Sequence, residues 1–157
     1  MGFDGRPTNT SSITIRFENG GIGQSIYSTL GTGGILPKHY AEVQAGKVSA
    51  ATLRFGNLVF VQGCTGRSPT TGAIGADIKE QTTFALERIA LILKEAGTSM
   101  DNVMTNTCYV TKREDLPGFN EAYLEYFKQD RPVRTTTIVN FGQPENLVEI
   151  WITLLMR

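Results

Sequence analysis

Apolar residues alternate or recur along this chain with two periods, and the switches between them predict the elements. Ile13, Ile15 and Phe17 alternate with Thr14 and Arg16, which predicts a short strand with one buried face. Residues 52–55 and 57–61 read as two strands joined at Gly56-Asn57. The run Leu58-Val59-Phe60-Val61 is continuously apolar, as in a strand covered on both faces. Ile78, Phe84 or Ala85, Ile89, Ile92, Leu93 and Ala96 then recur at helical spacing. Asp77 stands at the start of that helix as cap or first-turn acid, and Gly97 where a C-terminal cap belongs. Residues 103–111 alternate as a strand, Pro117 opens a second helix through Phe127, and strands follow over 134–141 and 147–155.

This order predicts a single α+β domain over residues 1–157, with two helices on one face of a mixed sheet. The last strand, Leu147-Val148-Glu149-Ile150-Trp151-Ile152, is apolar on both faces, and two helices cover only one. Association with further copies is the economical way to bury the other. The first ten residues read as a polar tail. Residues 20–34 are glycine-dense, and without the Lys-Ser/Thr of a phosphate loop they read as a turn-rich connector. Residues 63–75 read as a loop rich in Thr, Ser, Pro and Gly.

Composition narrows the chemistry. Fifteen Lys and Arg balance fifteen Asp and Glu, so no excess charge is available to neutralise nucleic-acid phosphates. The single histidine, His39, excludes a multi-histidine metal site within one chain, and it reads as structural. Cys64 and Cys108 are far apart and form no Cys-x-x-Cys pair, which leaves no structural zinc pattern. No metal is expected. No apolar stretch is long enough to span a membrane. The N-terminus lacks the apolar core of a secretory signal, so the expected setting is a reducing cytoplasm.

Three features go beyond packing. Arg134 begins a strand after the turn Arg131-Pro132-Val133, where its planar fork of donors matches a carboxylate; a solvated surface arginine is the alternative. Glu149 lies between Val148 and Ile150 in the most apolar strand. It is either an acid poised for proton transfer in a dry cleft or half of a structural ion pair, with Arg134 as the candidate partner. Gly63 and Cys64, in Gln62-Gly63-Cys64-Thr65-Gly66, end an apolar strand where a ligand can approach the backbone. Cys64 has no local base to form a thiolate and reads more readily as a small apolar residue.

Together these residues resemble the RidA/YjgF enamine and imine deaminases. The resemblance runs from about Val48 to the C-terminus. It takes in Gly56-Asn57-Leu58-Val59-Phe60-Val61-Gln62-Gly63, Thr71-Gly72 with Asp77-Ile78 and Gln81-Thr82, and 96–103. It continues through Phe119-Asn120-Glu121-Ala122-Tyr123, Pro132-Val133-Arg134-Thr135 and Leu147-Val148-Glu149-Ile150. Residues 1–47 form a longer N-terminal segment than the family usually has. The resemblance implies a chorismate-mutase-like fold, a homotrimer with active sites between subunits, and no organic cofactor. It also implies that Arg134 binds a substrate carboxylate, Glu149 places the attacking water, Gly63 borders the pocket and Asn120 faces it.

This sequence departs from the family pattern at Ser49, where a pocket tyrosine is usual, at Gln62-Gly63-Cys64, and at Thr136, where some members carry cysteine. These changes alter the pocket wall, with Ser49, Cys64 and Thr136 among its expected residues. The leading expectation is a deaminase of 2-aminoacrylate or 2-iminopropanoate type intermediates. The alternatives are a deaminase of a larger unsaturated amino acid such as an aminomuconate, a non-catalytic carboxylate-binding trimer and, last, a ribonuclease.

Overall fold

The computed structural model of the protein describes residues 10–16, 22–28, 38–45 and 48–156, with side chains for Val48 and for 50–156. Strands form at Thr10–Arg16 (β1), Ile22–Ser28 (β2), Lys38–Ala45 (β3), Val48–Phe55 (β4) and Leu58–Thr65 (β5). Helix α1 (Ile78–Glu95) is followed by β6 (Val103–Val110), helix α2 (Leu116–Tyr126), β7 (Val133–Ile138) and β8 (Val148–Leu155). The strands make one eight-stranded sheet in the order β1-β2-β3-β4-β5-β8-β6-β7. Neighbours are antiparallel except β6 and β7, which run parallel because α2 carries the chain back between them.

Both helices pack on one face of the sheet. Inward residues Val59, Val61, Cys64, Cys108, Val110, Val148, Ile150, Ile152 and Leu154 meet Leu86, Ile89, Ile92 and Leu93 of α1, and Phe119 and Tyr123 of α2. The strand period would turn Cys64 outward if Val61 is inward. A bulge prevents this: Val61 pairs with Ile152 and Cys64 with Ile150, leaving Gln62 and Gly63 together opposite Trp151. The other face carries Phe60, Trp151 and Val133 in the open, at 41%, 44% and 74% exposure. The expectation of one covered and one uncovered face therefore matches the described residues.

Helix α1 is closed at both ends by its own sequence. Asp77 accepts from Glu80 N–H at 2.9 Å, which satisfies a free donor of the first turn, while the Glu80 carboxylate accepts from Ala76 N–H, just before the cap, at 2.6 Å. At the other end Gly97 turns at φ +77°, and Thr98 and Gly97 N–H reach the carbonyls of Leu93 and Lys94.

The connector expected over 20–34 is corrected in part, since Ile22–Ser28 is strand β2, and β3 was not foreseen at all. Glycine at 23 weakens a strand by itself, but β2 pairs along its length with both β1 and β3, and that two-sided pairing overrides local preference. Of the tail expected over the first ten residues, Thr10 begins β1, while 1–9 and the remaining glycines of the connector segment lie outside the described residues. Residues 63–65, expected in a loop, instead continue β5 through its bulge.

Gln81, fully within the protein at the start of α1, ties three segments together. Its amide nitrogen donates to the carbonyls of Gly75 and Glu145 at 3.0 and 2.9 Å, and its oxygen accepts from Leu147 N–H at 2.8 Å. Gly66 and Gly75 leave room for it; a Cβ at Gly66 would stand 2.6 Å from Gln81 Cα. Replacing Gln81 with Ala strands one donor and two acceptors in the interior. The expected loss is about 3 kcal/mol, read as a lower urea midpoint with unchanged slope. Gly66→Ala should destabilise through the same contact.

Candidate active site

Arg134 sits on the edge strand β7 in register with Asn106 of β6. Side chains of paired neighbours share a face. Asn106 is 1% exposed, on the helix side, and donates its amide to the Tyr123 hydroxyl of α2 at 2.6 Å. Arg134 accordingly leans onto α2. Its Nη2 donates to Asn120 Oδ1 at 2.8 Å, and its guanidinium carbon lies 4.5 Å from the Tyr123 ring centre and 5.3 Å from that of Phe119. A groove of about 480 Å³ opens here, lined by Asn120, Tyr123, Leu124, Arg131, Pro132 and Arg134, with no acid among them.

The groups beneath Arg134 are neutral. Burial is the main cause that lifts the Cys108 thiol from 9.0 to about 12, against the opposing pull of Arg134. Burial likewise lifts the Tyr123 hydroxyl from 10.0 to about 12, against its hydrogen bond from Asn106. Thr136, two residues on, points the same way as Arg134 and pairs with Cys108. Thr136 Oγ1 and Asn106 Oδ1 are both buried with no hydrogen-bond partner. The result is a cation held by a neutral amide and two rings, with unengaged donors aimed at a groove. That suits the planar oxygens of a carboxylate.

Glu149 occupies the opposite face. On β8 it pairs with Tyr109 of β6, one step from the inward Ile150, and it is half-buried against the open side of the sheet. The Trp151 indole N–H donates to its Oε1. The bulge presents Gly63 directly beneath: a Cβ there would stand 2.8 Å from Glu149 Cδ and closer still to the carboxylate oxygen and the indole nitrogen. Gly63 is therefore the residue that lets this acid and this indole lie flat over the backbone.

The candidate ion pair between Glu149 and Arg134 is thus corrected. β8 neighbours β5 and β6, not β7, and the two side chains leave the sheet on opposite sides. Cys64 packs inward at 2% exposure, its thiol raised chiefly by burial despite nearby Arg88, so only the backbone of Gly63-Cys64 borders the open face. Ser49 lies on β4 opposite Gln44, and its side chain, like that of His39, is outside the described residues. Cys64 and Cys108 both pair with Ile150, from its two sides, which separates them by two strand spacings, about 10 Å. That is beyond disulfide reach, and both are free. Among the described residues no three His, Cys, Asp or Glu cluster as a metal site, and no helix is long and apolar enough to cross a membrane.

The sequence reading missed Trp151, Tyr123, Asn106 and Arg131 as site residues. Trp151 and Glu149, two apart on one strand, share a face by the strand period alone, which was a usable signal. The stacking of Tyr123 under Arg134 depends on the α2 crossover and had no local signal.

The family model for Endoribonuclease L-PSP matches residues 41–155. A RutC family protein of Pyrococcus abyssi is 38% identical over 99 residues, covering 62% of this chain and 78% of that one. The 3-aminoacrylate deaminase RutC of Acinetobacter baylyi is 34% identical over 95 residues, covering 60% and 75%. Among solved structures, Escherichia coli TdcF with bound serine is similar at a TM-score of 0.63 and 27% identity, over 68% of this chain and 86% of that one. The chain belongs to this family, the RidA/YjgF family of the sequence resemblance, and has its α+β fold. Strands β1 and β2 precede the matched region and extend the sheet beyond it.

Two outcomes test this geometry. Gly63→Ala should shift the emission of Trp151, the sole tryptophan, and displace the Glu149 carboxylate. The raised hydroxyl and thiol act on stability at alkaline pH. The unfolded chain loses these protons near pH 9 to 10 while the folded one keeps them to about 12, so stability is full below pH 9 and falls across that window. Denaturant midpoints taken between pH 8 and 11 measure this; a flat profile contradicts the burial assigned to Cys108 and Tyr123.

Proposed function

We propose that the protein hydrolyses reactive enamine and imine amino acids of the 2-aminoacrylate and 2-iminopropanoate type, giving a keto acid and ammonia. The observation that carries this reading is the Arg134 guanidinium, oriented by Asn120 and Tyr123 over a groove with no acid to neutralise it. Two relatives supply chemical context. One is named a 3-aminoacrylate deaminase, and another was solved with bound serine, an amino acid of similar size.

Arg134 forks the substrate carboxylate and fixes the adjacent carbon, which is a positioning effect. The enamine takes a proton on its terminal carbon to become the imine. Water then adds to the imine carbon, and the resulting carbinolamine loses ammonia as its C–N bond breaks and the hydroxyl oxygen becomes the keto oxygen. Glu149 accepts a proton from the attacking water and returns one to the departing nitrogen. Imines hydrolyse without catalysis, so a sparse site of one cation, one carboxylate and one water is adequate.

Arg134 and Glu149 leave one sheet on opposite sides, so a site that uses both needs a second copy. The open face, with Phe60, Trp151 and Val133, offers the apolar surface for such contact, and a homotrimer with inter-subunit sites is the arrangement we propose. A cytoplasmic setting suits two free thiols. RNA cleavage is disfavoured by the even balance of 15 basic and 15 acidic residues.

The test is release of ammonia and keto acid from a freshly generated 2-imino acid. Arg134→Ala should lower kcat/KM about 100-fold, and Glu149→Gln should lower kcat with little change in KM. Equal rates for wild type and Arg134→Ala contradict the assignment. Ligand binding without turnover in any variant favours the carboxylate-binding trimer instead. Light scattering should return about three times 17.2 kDa.

A further inference from the structure

The groove at Arg134 contains a second guanidinium that the monocarboxylate reaction does not use. Arg131 precedes Arg134 by three residues, across Pro132, and lines the same groove. Its Nε donates to the Phe127 carbonyl at 3.2 Å, which fixes the stem and leaves both terminal nitrogens unassigned. Neither arginine has a carboxylate partner among the ion pairs of the described residues, which join Arg67 to Glu145 and Lys79 to Glu121. Both arginines line this one groove, on either side of Pro132 in the sequence.

Two like charges lining one groove repel each other, and no acid in the lining relieves them. In a chain of zero net charge this local excess is a feature of placement, not of composition. Besides the two cations the lining holds the Tyr123 ring, Leu124 and Pro132, with the Asn120 amide. Two anionic groups joined by a short hydrocarbon stem complement such a lining.

We infer that the substrate carries two carboxylates, with Arg134 holding the one beside the imine carbon and Arg131 holding the distal one. This rests on the proposed role of Arg134 and adds to it a specificity-determining residue. The substrate class is a short unsaturated or imino amino dicarboxylate, and the product a keto dicarboxylate. Proline at 132 restrains the backbone between the arginines, and the hydrogen bonds from Arg131 to Phe127 and from Arg134 to Asn120 anchor each side chain before binding.

Two measurements test the inference. Calorimetric titration with succinate and with propanoate should show succinate binding about tenfold tighter to the wild type. That ratio should collapse toward one in Arg131→Gln, an exposed substitution whose folding is checked by Trp151 emission. In turnover, 2-iminosuccinate generated from aspartate should exceed 2-iminopropanoate in kcat/KM by a similar factor, with the advantage lost in Arg131→Gln through KM. Equal affinity for the two acids, or a preference for succinate that survives Arg131→Gln, overturns it. Hydrolysis of both imines without the preference overturns the dicarboxylate inference and leaves the deaminase reading intact. A succinate preference that depends on Arg131, with neither imine hydrolysed, supports the dicarboxylate site and overturns the deaminase reading.

Discussion

A side chain on a strand has only two directions available, and that constraint arranges all the chemistry of this protein. Asn106, Cys108 and Val110 on β6 point toward the helices, so their partners on β7, Arg134, Thr136 and Ile138, do as well. On β8 the inward set is Val148, Ile150, Ile152 and Leu154, which sends Glu149 and Trp151 to the opposite face. A cation therefore ends against α2 and an acid against open sheet. The bulge at Gln62 and Gly63 breaks the alternation on β5. It keeps Val61 and Cys64 both in the core while bringing bare backbone under Glu149. Without it, either a core residue would face outward or a side chain would occupy the space that the carboxylate and indole now fill.

The placement of β8 depends in turn on Gln81. Its three hydrogen bonds link the loop after β5, the first turn of α1 and the backbone at Glu145 and Leu147. The segment that starts β8 is thereby tied to the helix that covers it. The neighbouring Arg67 to Glu145 ion pair, at 3.1 Å, spans the same gap but is partly exposed on both sides. A pair in that setting contributes little, because solvent screens it. The buried amide is the stronger tie, since breaking it leaves donors and acceptors with no water to replace it.

What the sequence revealed follows from how local each cause is. Asp77 and Gly97 bound α1 through contacts within a few residues, so both ends of the helix were legible. Strands β2 and β3 exist because they pair with each other and with their neighbours, and glycines within a segment conceal such pairing from a local reading. The fold class survived that omission because the missing strands extend the sheet at an edge without changing its layers. For the site, Arg134 and Glu149 were visible as unusual residues, and an ion pair between them stood as one of two readings of Glu149. Strand order decides that relation, and β8 lies between β5 and β6 only by virtue of non-local pairing.

The separation of Arg134 from Glu149 has a chemical consequence. Had the two formed a pair across adjacent strands, the guanidinium would be neutralised and its donors occupied, leaving little for a substrate anion. Held on opposite faces, they do not neutralise each other, and each keeps its capacity for a ligand. Arg134 is oriented by a neutral amide and by aromatic rings, and Glu149 by an indole N–H, so neither is quenched by the group that positions it. Orientation without neutralisation is what the roles proposed for these two residues require. Under the proposed reaction one chain would be insufficient, because the groove at Arg134 lies on the face of the sheet opposite Glu149. The uncovered face, with Phe60, Trp151 and Val133, is the surface we propose for association with another copy.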